Sequence, residues 1–257
     1  MGIFVVALSA FIAAGLTLFS GFGLGTLLMP VVALFFPLDM AIAVTAVVHL
    51  ANNLFKLGLV GWHASSRVLL WFGIPAALAS LLGAFTLGWL SHLEPVMNYT
   101  WAGRELAVMP VKLVVGTLIL IFVALEAVPA LAAKAIDARF LPLGGCLAGF
   151  LGGLSGHQGA FRSMFLLKSN LSKESFIATG VVLAVIVDLA RTPVYAADIL
   201  RTASGLNPAL LVTTCLAAFA GSILASRWLK KLTIRSIQML VGGMLVVVAL
   251  GLMSGLL

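Results

Sequence analysis

Charged residues are scarce in this chain: Lys, Arg, Asp and Glu make up 9% of its 257 residues, while 62% of the residues are hydrophobic. Soluble domains carry about 25% charged residues, so the composition excludes an ordinary soluble protein. Cysteine is scarce too, since Cys146 and Cys215 are the whole complement. Two cysteines in apolar runs form neither a disulfide framework nor a zinc site, and we expect both in the core. No metal site and no cofactor are predicted.

Basic residues are absent from the start of the chain, because no Lys or Arg precedes Lys56. A secretory signal begins with a basic region, so the first apolar segment is expected to stay in the mature protein. An ATP-binding phosphate loop is also absent, which makes an ion gradient the expected energy source. The net charge is +7, but the cations are scattered over short connections between apolar spans. Basic loops on one side of a membrane explain that pattern, and no nucleic-acid partner is expected.

Apolar windows near the ~20 residues needed to cross a bilayer recur along the chain. They cover residues 41–61, 68–90, 109–126, 174–195, 208–226 and 236–256. Two longer apolar stretches, 2–36 and 140–167, contain glycine clusters. The chain is therefore predicted to be an all-α integral membrane protein, embedded in a lipid bilayer, with no room for a soluble domain.

Two segments 134 residues apart carry the same interrupted pattern: an apolar run, a glycine cluster, a short polar turn and an apolar helix that opens near a threonine. When the two segments are aligned at this offset, Gly25 corresponds to Gly159 and Thr45 corresponds to Thr179. Paired glycine-broken segments in two halves of a chain indicate the substrate site of a transporter. We therefore predict a single membrane transport domain over residues 1–257, built from two repeats. The repeats cover about residues 1–128 and 138–257.

The glycine-broken stretches either cross the membrane fully, which gives eight spans, or enter and leave on one side as re-entrant hairpins. Cytoplasmic loops collect Lys and Arg, and the loop cations split nine to four with hairpins but eight to five with eight spans. Hairpins also leave three crossings in each half, and an odd number inverts the second half relative to the first. We therefore expect two inverted repeats, each a re-entrant hairpin plus three transmembrane helices, with both termini in the periplasm. In this topology one side holds Arg67, Lys134, Arg139, Lys168, Lys173, Arg227, Lys230, Lys231 and Arg235, and the other holds Arg104, Lys112, Arg191 and Arg201.

Each glycine break is expected to end one helix and to begin a half-helix, near Thr26 in the first half and near Ala160 in the second. The first N–H groups of a helix lack intrahelical partners, and its dipole adds positive potential there. Two such ends that meet near the membrane midplane would form an anion site. Close helix packing by small residues is the alternative reading of the same glycines.

Arg162 lies one turn into the second half-helix, between Phe161 and an apolar run. A charge at helix-centre depth costs roughly 2.5–3.5 kcal/mol on insertion scales and normally faces a partner or a cavity. A guanidinium beside a helix N-terminus suits an oxyanion such as sulfonate, sulfite or carboxylate. The alternative is that Arg162 snorkels to an interface.

Polar side chains form a stripe on the helix that follows each break. The first stripe consists of Thr45, His49, Asn52 and Lys56, whose spacing puts them on one helical face. Such a stripe on a spanning helix faces the bundle interior or a solvated path. On the second helix, Asp188 and Arg191 either neutralise each other across one turn, or Asp188 accepts a proton and pairs with another cation of the site.

The predicted substrate-binding residues are Gly23, Gly25, Thr26, Asn52, Asn53, Ser155, His157, Gln158, Gly159, Arg162 and Ser163. The predicted coupling or gating residues are His49, Lys56, Asp188 and Arg191. His157 can titrate near neutral pH and carry a coupling proton, or it is a satisfied structural histidine.

No catalytic residue is predicted. The segment from Gly153 to Gly156 resembles the short nucleophile motif of rhomboid-type intramembrane serine proteases, with Ser155 as the nucleophile. Those proteases place the histidine that activates the serine on a later helix. Here the only histidine after Ser155 is His157, in the same break, so an enzyme is disfavoured.

At these residues the chain resembles the TauE/SafE family, also called the toluene sulfonate uptake permease family. The resemblance rests on Gly21-Phe-Gly-Leu-Gly25 with Ala43-Val-Thr45, and on Gly156-His-Gln-Gly159 with Ala178-Thr-Gly180. It implies a secondary transporter for small sulfur oxyanions or organosulfur anions, often an exporter of sulfite or sulfoacetate. The chain departs from the family pattern at His157 and Gln158, where glycines are common, so the resemblance does not identify the substrate.

The sequence thus predicts an inner-membrane carrier that moves a small sulfur-containing anion by alternating access, with export coupled to a proton gradient as the expected mode. Sodium is the alternative coupling ion. The sequence does not determine the oligomeric state, and a homodimer is one of the options. An anion channel is the nearest alternative function, and a membrane scaffold without transport is a further one.

Overall fold

The computed structural model describes residues 2–20, 24–36, 38–127, 136–201, 208–228 and 234–257. The helices of the first half are α1 (Gly2–Ser20), α2 (Leu24–Ala33), α3 (Leu38–Val60), α4 (Ser66–Val68), α5 (Ile74–Ser91) and α6 (Pro110–Ala127). The helices of the second half are α7 (Leu141–Ser155), α8 (Gly159–Leu166), α9 (Lys173–Arg201), α10 (Pro208–Trp228) and α11 (Ile234–Met253). A π-helical turn, Leu69–Gly73, joins α4 to α5. Short 3₁₀ turns occur at Gly61–His63 and Ala138–Phe140.

Four helical segments of the described residues are long and apolar enough to cross a membrane. They are Met40–His63, Ser66–Ser91, Ala138–Ser155 and Lys173–Ala197. Shorter apolar stretches occur in α1, α6, α10 and α11. Large hydrophobic side chains such as Leu78, Leu82 and Phe85 are more than 60% exposed on the outer surface of α5, as expected for side chains that contact lipid. The prediction of an all-α integral membrane protein is confirmed.

A small β-hairpin between α5 and α6 was not predicted. Strand β1 (Met97–Trp101) pairs with β2 (Arg104–Val108) in antiparallel register, with Met97 opposite Val108. The turn residues Ala102 and Gly103 both have positive φ, which a tight two-residue hairpin turn requires. The hairpin lies at one end of the bundle, where the Tyr99 hydroxyl donates a hydrogen bond to the carbonyl of Ser254.

Helix α5 and the π-helical turn before it pack backbone to backbone on α7 along a stripe of glycines. A Cβ atom added at Gly145, Gly149 or Gly153 would lie 2.1–2.2 Å from the carbonyl oxygens of Phe72, Ala76 and Ser80, respectively. The four-residue spacing on both helices is the small-residue packing found between membrane helices. Gly153, one of the glycines of the second cluster, therefore serves close helix packing, which is the alternative reading given above for these glycines.

The second glycine-broken stretch is a hairpin. The N–H of Ile136, just before α7, donates a 3.0 Å hydrogen bond to the carbonyl of Met164 near the end of α8. The ring of Phe165 lies against Gly144 in the first turn of α7. The chain therefore leaves along α7, breaks at Gly156, and returns along α8 to the end where it started.

Contacts between loops show which helix ends share one side of the bundle. The hairpin β1–β2 contacts the C-terminal residues, because an added Cβ at Gly255 would lie 2.5 Å from the carbonyl of Ala107. At the other end, the N–H of Ser65 donates a 2.9 Å hydrogen bond to Thr179 Oγ1 near the start of α9. Eight full crossings would put the members of each pair on opposite sides, whereas the hairpin topology puts them together. The packing therefore agrees with the hairpin topology.

The two halves interlock through reciprocal contacts. Helix α5 packs on α7 of the second half, and α10 packs on α1 of the first half. Helices α3 and α9 pack on each other, as do α6 and α11. This interlocking brings the middle of α3 beside the middle of α9, which positions the polar stripes.

Two expectations from the sequence were wrong. Arg191 was counted among the loop cations, but it is 1% exposed within α9, where Asp188 and the carbonyl of Gly152 accept hydrogen bonds from its guanidinium. Cys146 was expected in the core, but it is exposed on α7. A cysteine side chain is apolar enough to face lipid, so an apolar run does not distinguish the two surroundings.

Candidate functional site

The start of α2, just after the first glycine break, meets the second break inside the bundle. Gly156 ends α7 in the left-handed conformation, with φ of 80°, and its N–H donates a 2.9 Å hydrogen bond to the carbonyl of Gly152. A Cβ added at Gly25, in the first turn of α2, would lie 3.5 Å from the carbonyl oxygen of Gly156 and 3.5 Å from Thr45 Cγ2. The start of α2 therefore contacts the second break and the first polar stripe at one place.

Asp188 links the two polar stripes across the interface between α3 and α9. Its Oδ2 lies 2.5 Å from His49 Nδ1. Its Oδ1 accepts hydrogen bonds from Arg191 Nε at 3.0 Å and Nη2 at 2.7 Å. Asn53 Nδ2 lies 3.0 Å from His49 Nδ1 and 3.5 Å from Asp188 Oδ2. Asp188 is fully buried and carries partners from both halves of the chain.

Helix α9 also holds the backbone that leads into the second break. Arg191 Nη1 donates a 2.7 Å hydrogen bond to the carbonyl of Gly152, and the Tyr195 hydroxyl donates one to the carbonyl of Gly153. The carbonyl of Gly152 thus accepts hydrogen bonds from both Arg191 and the N–H of Gly156, and the two side chains of α9 hold the last turn of α7 in place. The same guanidinium therefore contacts the buried carboxylate and the break.

Buried polar atoms without a hydrogen-bond partner gather on the elements around the breaks. Among the described residues they are Thr45 Oγ1, Asn52 Nδ2, His157 Nε2, Gln158 Nε2, Arg162 Nη1 and Thr192 Oγ1. Buried polar groups are normally hydrogen-bonded, and each exception calls for an explanation such as a ligand or water. The nitrogens of Asn52, Gln158 and Arg162 are N–H donors, which suits an anion.

Arg162 extends from the first turn of α8 toward α9. A Cβ added at Gly180 would lie 3.7 Å from its Nε, so the missing side chain at Gly180 leaves room for the guanidinium. Lys56 lies close enough to Arg162 for their positive charges to repel each other, and Asp188 lies within electrostatic range of Arg162. The side chains that contact the carboxylate of Asp188 directly are nevertheless those of Arg191 and His49, rather than those of Arg162 or Lys56.

His157 is 2% exposed, and its imidazole ring is held by a hydrogen bond and by an aromatic contact. Its Nδ1 donates a 2.7 Å hydrogen bond to the carbonyl of Ser155. Its ring stacks on Phe122 of α6, with the ring centres 5.4 Å apart, and Phe161 contacts the same phenylalanine edge to face. Phe122 therefore fixes the imidazole plane from a third helix.

The remaining predicted residues are placed as follows. Asn52 Oδ1 accepts a 2.8 Å hydrogen bond from Ser222 of α10. Ser155 Oγ donates to the carbonyl of Leu151, and Ser163 Oγ donates to that of Gly159. Because His157 contacts the carbonyl of Ser155 and not its hydroxyl, the pair lacks the geometry of a serine nucleophile and its base.

The structure thus brings together five of the residues singled out from the sequence: Gly25, Thr45, His49, Asp188 and Arg191. The other predicted site residues that the structure describes lie on α2, α3, α8, the end of α7 and the turn between α7 and α8. Gly159 is the first residue of α8, Thr26 lies in the first turn of α2, and Gly23 lies outside the described residues. Sequence reasoning missed Phe122 and Ser222. Neither carries a signal, since one is an apolar residue in an apolar helix and the other is a lone small residue.

Comparison with known proteins gives a match to one family. The family model described as "Sulfite exporter TauE/SafE" matches residues 6–252, nearly the whole chain. Searches of curated proteins and of solved structures found no significant match. The family is one of membrane transporters for sulfur anions and not of enzymes, which agrees with the apolar helices and with the broken ones. The chain therefore belongs to the TauE/SafE family of sulfite exporters and is a multi-pass membrane transporter of small anions.

Proposed function

We propose that this protein is a secondary active transporter that exports sulfite, sulfoacetate or a related organosulfonate across the inner membrane, driven by a proton gradient. The substrate binds where the two glycine breaks meet. Arg162, Gln158 and Asn52 donate hydrogen bonds to its oxygens, and the first amides of α2 and α8 add positive potential. Both termini lie in the periplasm.

The unpartnered buried donors carry this proposal. Three side-chain N–H groups, on Asn52, Gln158 and Arg162, are shielded from solvent without an acceptor in the described part of the chain. Leaving such a group unsatisfied costs about 1–3 kcal/mol, and more for a charged group. The oxygens of an oxyanion can accept hydrogen bonds from all three groups, whereas an apolar or cationic ligand cannot.

Coupling is assigned to the buried network of His49, Asp188 and Arg191. A proton shared between His49 and Asp188 reduces the negative charge of the carboxylate, and this weakens the ion pair between Asp188 and Arg191. Because Arg191 also donates to the carbonyl of Gly152, that change reaches the second break. The ion and the anion are then coupled through one guanidinium, as alternating access requires.

Two inverted repeats, about 1–128 and 138–257, supply the moving parts. The reciprocal packing of α5 on α7 and of α10 on α1 supports a two-fold relation between the halves. In the proposed cycle, one repeat rocks against the other around the site. The surface next to the break then opens to each side of the membrane in turn.

Transport by reconstituted protein tests the proposal. Proteoliposomes with a proton gradient should take up sulfite with saturation and counterflow, and Arg162→Ala should lower the rate at subsaturating sulfite about a hundredfold. Arg162→Lys keeps the charge but not the planar fork, and it should recover part of the loss. Arg104→Ala, in the exposed β-hairpin, is the matched control and should transport normally. Flux that rises linearly with sulfite would favour a channel, and full activity of Arg162→Ala would contradict the site.

Labelling of single cysteines tests the topology. With Cys146 and Cys215 replaced by serine, cysteines placed at Arg104 and Leu256 should react with a membrane-impermeant maleimide added from outside intact cells. Cysteines placed at Arg67 and Asn170 should react only after permeabilisation. The reverse pattern would place the termini in the cytoplasm, and labelling of Arg104 and Leu256 from opposite sides would contradict the hairpin topology.

A further inference from the structure

The second break contains one nitrogen that does not suit a bare oxyanion. His157 Nδ1 lies 2.7 Å from the carbonyl oxygen of Ser155, and a carbonyl oxygen can only accept. Nδ1 therefore carries the hydrogen. In a neutral imidazole the other nitrogen is then an acceptor, so Nε2 presents a lone pair. That nitrogen is buried and has no partner among the described residues.

The imidazole is not free to turn this lone pair away. Phe122 stacks on the ring at 5.4 Å, and Phe161 packs against Phe122 at 5.5 Å. A 180° flip would remove the bond to the carbonyl of Ser155 and leave it unsatisfied. Gln158 and Arg162, within five residues of His157, each carry a buried N–H group without a partner among the described residues, so this region offers donors together with one acceptor.

We infer that the site binds an oxyanion together with one hydrogen, and that His157 Nε2 accepts the hydrogen bond from that hydrogen; this inference rests on the proposed function. The substrate class is thus a singly charged anion with an acidic O–H, such as hydrogen sulfite, or sulfoacetate with a protonated carboxyl group. A simple alkanesulfonate has the same charge but no such hydrogen, and it leaves Nε2 unsatisfied. Binding of the monoanion takes no proton from the medium, whereas binding of the dianion takes one.

Other ionisable groups surround this position and need to be distinguished from His157. Helix α8 contributes Arg162, α3 contributes His49 and Lys56, and α9 contributes Asp188, Arg191 and Tyr195; α6 contributes the uncharged Phe122. His49, Asp188 and Arg191 already hold one another. Arg162 is a donor that stabilises the anion itself, and Lys56 is a cation near Arg162. Proton uptake that depends on His157 therefore separates the inference from a proton bound elsewhere in the network.

Titration calorimetry with sulfite on the purified full-length protein tests this inference. At a pH where free sulfite is mainly the dianion, measurements in buffers of different ionisation enthalpy should give uptake of about one proton per bound anion. His157→Asn keeps a donor near the carbonyl of Ser155 but has no second nitrogen. It should lose most of that uptake and bind hydrogen sulfite about tenfold more weakly. His63→Asn, at an exposed histidine outside the site, should behave as the unmodified protein.

A second measurement needs no variant. At a pH where sulfite is mainly the monoanion, hydrogen sulfite should bind about tenfold more tightly than methanesulfonate, which has equal charge and similar size but no O–H. Equal affinities, or sulfite binding without proton uptake, would overturn this inference and leave the proposed function standing. The same holds for proton uptake that persists in His157→Asn. No binding of any sulfur oxyanion would contradict the proposed function and this inference with it.

Discussion

The two glycine breaks lie at matching positions in the chain but differ in chemistry. Gly21-Phe-Gly-Leu-Gly25 offers no polar side chain, whereas the second break contains Ser155, His157 and Gln158 and is followed by Arg162. Gly156 is left-handed, while an added Cβ at Gly25 would meet its neighbours at ordinary contact distance. The first break therefore supplies space and backbone, and the second supplies most of the side chains.

The helices after the breaks differ in the same way. Helix α3 presents uncharged polar groups, a histidine and Lys56, whereas α9 buries a carboxylate and a guanidinium that hold the second break. The contact between His49 and Asp188 joins the two helices. A duplicated pattern has thus acquired two roles, and substitutions at corresponding places should have unequal effects.

The largest effect is expected in the ionic network. Removing one member of a buried charge pair costs about 3–5 kcal/mol, because the other charge stays buried without compensation. Asp188→Leu and Arg191→Met should each lower the free energy of unfolding by about that amount, and the double variant should cost much less than the sum. Unfolding in detergent micelles measures all three free energies. Additive losses would show that the two charges do not depend on each other. Arg67→Met, at an exposed cation, is the control and should change stability little.

A smaller effect is expected at the glycine stripe. The Cβ of Gly153→Ala would lie 2.1 Å from the carbonyl oxygen of Ser80, so α5 and α7 have to separate, and overpacking of this kind costs about 1–3 kcal/mol. Gly58→Ala meets no atom within 4 Å and should be neutral or raise stability by about 0.5–1 kcal/mol. Thermal unfolding of both variants in the same detergent measures the difference. Equal melting temperatures would show that the α5–α7 contact tolerates a methyl group.

The breaks themselves should respond unequally to alanine. Gly156→Ala places an L-residue in the left-handed region and should cost about 1–2 kcal/mol. Gly25→Ala contacts Gly156 and Thr45 at 3.5 Å and should fold normally. Comparing the unfolding free energies of the two variants tests the difference between the breaks directly. If Gly25→Ala were the more destabilised of the two, the first break would have to be the tighter one.

The smallest effect is expected at Ser222, which orients Asn52. Ser222→Ala leaves Asn52 Oδ1 without its 2.8 Å donor and should cost about 1 kcal/mol, with weaker sulfite binding because the amide is less well held. Ser91→Ala removes a hydroxyl that donates within its own helix, and it is the control that should keep full binding. Calorimetric affinities for sulfite measure the effect. Unchanged affinity in Ser222→Ala would show that Asn52 does not need this partner.

Much of the fold could be predicted from the sequence. Each of the six apolar windows lies mainly on helical residues, and the half-helices begin at Leu24 and Gly159, within two residues of their predicted starts. These features depend on local hydropathy and on glycine, which act wherever they occur in the chain. The β-hairpin escaped prediction because its residues, from Met97 to Val108, carry no strong alternation of polar and apolar side chains.

The candidate site could be predicted in its members but not in its pairings. The polar stripes identified His49, Asp188 and Arg191, because the spacing of residues on a helix follows from the sequence. The choice of Arg191 over Arg162 as the partner of Asp188, and the contact of Arg191 with Gly152, could not be predicted. Such partners depend on which helices lie side by side.

By itself, the sequence determined that the chain is an all-α membrane protein with two glycine-broken halves, since the cost of charge in lipid and the conformational freedom of glycine are properties of single residues. Only the tertiary structure decided that Gly25 contacts the second break, that Gly153 packs helices while Gly156 turns the chain, and that His157 presents an acceptor. These outcomes depend on contacts between segments that are distant in the chain or on the direction of a single hydrogen bond, and neither follows from local periodicity.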